Sequence, residues 1–118
     1  MKARTFVDKV IAYKKEKIYI AVSLEFDLIA EGKSIMQALE RLHDATSGYL
    51  EMCCKDNETD EEIYRKAPKK FQDMYDLFVE LSEKKRKRDD EKLKEKKFRE
   101  KETLSQNITY NSNNLCNA

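Results

Sequence analysis

The chain has 118 residues, enough for one domain of ordinary size and too few for two. Charged residues make up 40% of it, against about 25% in typical globular domains, yet the formal net charge is only +1. That balance argues against global charge steering toward nucleic acid, no apolar run reaches the roughly 18 residues of a membrane span, and Cys53, Cys54 and Cys116 show no zinc or disulfide spacing.

The charge is unevenly placed. Residues 1–82 hold 13 basic and 16 acidic side chains, residues 83–102 hold 11 and 7, and nothing from Thr103 onward is charged. The expected organisation is a folded domain over 1–82, a charged helical extension over 83–102 and a disordered polar tail over 103–118. The N-terminus shows no apolar leader segment, so the sequence reads as cytoplasmic.

In chain order, "TFVDKVIAY" (5–13) is rich in β-branched and aromatic residues and predicts a strand. Phe6, Val7, Val10 and Ile11 fall on both of its faces, which fits either a central strand or a shifted register. "KKEK" (14–17) is a polar connection of four residues, giving a β-hairpin. Over 18–28, Ile18, Ile20, Val22, Leu24, Phe26 and Leu28 alternate with smaller or polar residues, which predicts one strand or a bent strand pair. "LIAEG" (28–32) is a candidate third strand.

The period then changes. Ile35, Ala38, Leu39, Leu42, Ala45, Tyr49, Leu50 and Cys53 recur at three and four residues, predicting an amphipathic helix about 30 Å long. Residues 55–62 read as a break, and Pro68 suits the first turn of another helix. Phe71, Met74, Tyr75, Phe78 and Leu81 form a second apolar stripe, which stops at the charged extension. The expected fold is therefore α+β: a hairpin or three-stranded antiparallel sheet on one long helix, followed by a second helix running into a charged arm.

Gly32-Lys33-Ser34 stands between strand-like and helix-like runs, as in a P-loop. A P-loop needs a second glycine five residues earlier, where this chain has Asp27, whose carboxylate would repel phosphate. The helix-start reading explains more: Ser34 is the N-cap, Gln37 its capping-box partner, and Gly32 permits the turn. His43 beside Asp44 has no nucleophile at a useful spacing and reads as a helix-boundary residue. Glu25 and Asp27 share one side of the predicted strand, about 7 Å apart, but no third metal ligand can be named. No catalytic residue, cofactor or metal site is assigned. Lys84, Lys85, Arg86, Lys87 and Arg88 are candidate nucleic-acid contacts, although the acids interspersed through 83–102 make a solvated helix the default.

Taken together, "SLEFDLIAEGKSIMQALERL" (23–42) resembles the HicB-like antitoxin family, through Glu25, Phe26, Asp27, Leu28, Gly32, Lys33, Ser34, Ala38 and Leu39. Gln37 stands where that family usually has Glu, and "YRKAPKKFQDMYDLF" (64–78) is similar to a segment following this helix in single-domain members. The resemblance implies a truncated ribonuclease H-like core. It also implies a non-catalytic module that neutralises a small mRNA-cleaving, HicA-like toxin by masking its active site. The alternatives are a nucleic-acid-binding accessory protein using the 84–101 arm, or a family member without a toxin. Residues 83–118 lack the helix-turn-helix or ribbon pattern that many relatives add, which puts DNA binding in doubt. Open sheet edges in so small a domain predict a homodimer.

Overall fold

The computed structural model describes residues 4–87 and 103–111, with the side chains of 84–87 outside that description. Its elements run β1 (Thr5–Lys15), β2 (Ile18–Ser23), β3 (Leu28–Gly32), α1 (Ile35–Lys55), α2 (Asp60–Ile63), α3 (Lys69–Lys87) and β4 (Thr103–Asn111). The strands form one antiparallel sheet in the order β3-β2-β1-β4. The α+β class is as the periodicities imply, with one strand more than they suggested.

That strand corrects the reading of the tail. Thr103–Asn111 pairs with β1 along nine residues, Phe6 opposite Tyr110 and Ala12 opposite Leu104. Leu104, Ile108 and Tyr110 lie on one face of β4 at even spacing and pack against the cores around α1. Their apolar row is diluted by Gln106 and flanking Asn, Ser and Thr, which is why composition alone suggested disorder. The folded unit therefore comprises 103–111 as well as the residues up to 82. Of the expected charged extension, 83–87 continues α3; 88–102 lies outside the described residues, as does 112–118.

β1 is a central strand, one of the two readings its two-sided apolar pattern left open. Phe6, Val10 and Ala12 face α1, while Ile11 and Tyr13 face α3, so each face of β1 is covered by a helix. β1 and β2 are joined by a turn of two residues rather than four, since Lys15 already pairs with Ile18. Glu16 takes the left-handed conformation there (φ 58°), a position that usually selects Gly or Asn. The alternation over 18–28 belongs to a bent pair, with Leu24–Asp27 turning between β2 and β3.

Burial along α1 falls on Ala38, Leu39, Leu42, Thr46, Leu50 and Cys53. Ala45, counted in the predicted stripe, is exposed, and Thr46 occupies the core position one residue later. α1 closes through Asn57 (φ 54°), with Glu58 N–H donating to the Cys53 carbonyl. The break at 55–62 contains α2, a single turn opened by a capping box. Thr59 Oγ1 accepts from Glu62 N–H, and the Glu62 carboxylate accepts from Thr59 N–H. α3 then lays Phe71 and Phe78, flanked by Met74, Tyr75 and Leu81, on Ile11, Ile20, Val22 and Leu24 of the opposite sheet face.

Candidate protein-interaction surface

The strand-to-helix corner is closed by backbone. A Cβ on Gly32 would lie 2.5 Å from the Ala38 nitrogen and 2.9 Å from the Gln37 carbonyl carbon, so β3 enters α1 at a distance only glycine allows. Ser34 is the N-cap, its Oγ accepting from Gln37 N–H at 3.1 Å. The Gln37 side chain reaches one residue further back than in a capping box, accepting the Lys33 N–H at 2.7 Å. The Lys33 and Gln37 amides that a phosphate loop would offer are thus taken by the chain itself, and Ala38 and Leu39 are buried beneath. Gly32, Ser34, Gln37, Ala38 and Leu39 together build a corner.

Glu25 and Asp27 sit in the β2–β3 turn instead of along a strand, and Asp27 adopts φ 55°. The shared-side geometry expected of them does not arise. Among the described residues no group of three His, Cys, Asp or Glu is placed to hold a metal ion. Burial pushes the Cys53 thiol up to about 11, which leaves it protonated and unreactive at neutral pH. Lys84, Lys85, Arg86 and Lys87 continue α3, with side chains outside the described set, and Arg88 lies beyond it.

A polar patch buried under α1 has no counterpart in the sequence reading. Asp8, Ser23 and Thr46 are fully buried, with Tyr110 half-buried beside them. Asp8 Oδ1 accepts from Glu25 N–H at 3.1 Å, pinning the β2–β3 turn to β1, while Oδ2 has no hydrogen-bond partner among the described residues. Ser23 Oγ accepts from Phe26 N–H, leaving its proton to face Asp8. The Thr46 and Tyr110 hydroxyls lie near each other but, among the described residues, neither makes a well-formed hydrogen bond, and His43 Nε2 on the same helix is also buried without one there. Burial raises the Asp8 carboxyl to about 6, against the lowering effect of Ser23 and the Glu25 and Lys9 backbones. The legible signal was a carboxylate between Phe6 and Val10 in the inward row of a strand.

An apolar surface lies on the other side of the sheet. Among the described residues α3 covers Ile11 and Tyr13 of β1 and Ile20 and Val22 of β2, but leaves Ile29 of β3 54% exposed and Ile18 of β2 36%. Ile18 and Ile20 line a shallow groove with Lys15, Glu16, Lys17 and Glu31 around them. An apolar floor with a rim of both charge signs suits a protein surface better than a phosphate backbone or a small polar ligand. Among the described residues no helix is long and apolar enough to cross a membrane. No protein-family model, curated protein or solved structure matches the chain.

Proposed function

We propose that this chain is a non-catalytic, antitoxin-like binding module of the cytoplasm that neutralises a small mRNA-cleaving toxin by masking its active site. The observation that carries the reading is the outer face of β2 and β3, where Ile29 stands exposed and Ile18 lines a groove with Lys15, Glu16, Lys17 and Glu31. A branched apolar patch on a rigid sheet loses little side-chain entropy when covered and gains from burial. The reading also takes the β1-β2-β3-α1 unit, with its Gly32-Lys33-Ser34 corner, as a truncated ribonuclease H-like core of the kind the sequence resembles.

Co-expression with the product of a neighbouring small basic gene tests the proposal. A stable complex and relief of growth arrest are the expected results, both lost on Ile29→Asp. Growth arrest that persists beside the intact chain, with no complex formed, would reject it.

A further inference from the structure

The two edges of the sheet are built differently. The carbonyl of Lys9 accepts from Leu24 N–H, so the odd-numbered residues of β1 aim their backbone groups at β2 and the even-numbered ones at β4. Carried across the pairing of Val10 with Gln106 and Asp8 with Ile108, the same alternation turns Ser105, Asn107 and Thr109 toward the outer edge. On the opposite edge, β3 has five residues, of which only Ile29 and Glu31 face outward by this rule. The Glu31 carbonyl is already taken by Arg41, whose guanidinium donates to it at 3.0 Å. β3 is thus short and blunted, whereas β4 is nine residues long and uncharged in a chain that is 40% charged.

We infer that the β4 edge docks a second copy of this chain, antiparallel about a two-fold axis at Asn107, joining two four-stranded sheets into one of eight. The sequence of β4 complements itself in that register. Ser105 falls opposite the partner's Thr109, hydroxyl against hydroxyl, on the face of α3. Leu104 falls opposite the partner's Tyr110 on the face of α1, so apolar side chains that are only half-buried in one copy extend each other's row. No like charges meet anywhere along the contact, because β4 contains none. This contact uses the edge opposite β3 and is independent of the toxin-binding reading.

Sedimentation of the full chain tests it, together with two double variants designed on the register. Ser105 and Thr109 in one strand are about 13 Å apart, too far to interact strongly, but each meets the other across the two-fold. The wild-type chain is expected at twice 14.0 kDa at micromolar concentration. Ser105→Lys with Thr109→Lys opposes like charges and should weaken the dimer by about tenfold or more, whereas Ser105→Lys with Thr109→Glu should retain it. A wild-type mass of 14.0 kDa throughout, or equal behaviour of the two variants with folding intact, would overturn the inference. Hydrogen exchange on the unmodified chain gives a second reading: the Ser105, Asn107 and Thr109 amides should gain protection as concentration rises. Protection that is the same at every concentration would put another part of the same chain on the edge and reject the second copy.

Discussion

Gly32 and Ala38 approach so closely that a methyl group on the first would overlap the backbone nitrogen of the second. This contact sets the angle at which the sheet passes into α1, and backbone cannot move aside as a side-chain tip can. Gly32→Ala should destabilise the fold by about 1–3 kcal/mol, read as a lower denaturant midpoint with an unchanged slope. A wild-type midpoint would show that the corner is looser than this geometry requires.

Ser34→Ala removes the acceptor for Gln37 N–H and should cost about 1 kcal/mol, while Ser34→Asp should hold stability near wild type. If the corner held a nucleotide instead, Ser34→Ala would leave the melting temperature unchanged and alter only a nucleotide-dependent shift. Thermal melts with and without ATP distinguish the two.

Asp8 gives the stability a pH dependence of unusual sign for a carboxylate. Its folded value of about 6 lies above the ordinary 3.8, so the folded state binds the proton more tightly than the unfolded chain does. Its contribution is greatest below about pH 4, declines as pH rises toward 6 and is flat above that. Asp8→Asn keeps an acceptor for Glu25 N–H and removes the buried charge. The variant should be more stable than wild type at pH 7, by up to about 3 kcal/mol, with the gain vanishing near pH 4. Denaturant midpoints at the two pH values check this; a difference that stays constant with pH would show that Asp8 binds its proton no more tightly in the folded protein than in the unfolded chain.

Removing the C-terminal segment after Leu81 should destabilise the sheet as well as delete the charged run, because β4 goes with it. Exposing the edge of β1 and the inward sides of Phe6 and Val10 predicts a loss of several kcal/mol, visible as an early, broad thermal transition. Charge reversal at Lys84–Arg88 should instead leave the wild-type transition in place, and so isolates what the basic run itself contributes.

How much of this was legible in the sequence depended on whether a pattern was local. The two-sided apolar content of β1, the stripes of α1 and α3 and the Ser34 cap each lie within one segment, and each formed as its spacing allowed, save that Thr46 replaces Ala45 in the α1 core. The turn at Glu16–Lys17 was hidden because a glutamate takes a left-handed position usually marked by glycine or asparagine. β4 was hidden because its three apolar residues mean little until β1 is beside them, and that pairing joins residues about a hundred positions apart. The open face around Ile29 was hidden for a related reason. Period alone shows that isoleucine alternates, and only the path of α3 decides which isoleucines it covers.

The pairing of Phe6 with Tyr110 also fixes an order in time. During synthesis from the N-terminus, β1, β2, β3 and α1 are all available long before β4. The nascent sheet therefore carries an unpaired edge on β1 at Phe6, Asp8 and Val10 until Thr103–Asn111 has emerged. In that interval another strand, from a neighbouring nascent chain or a binding partner, competes for the same hydrogen bonds. The late strand acts as a timer on how long the half-made domain remains open to exchange.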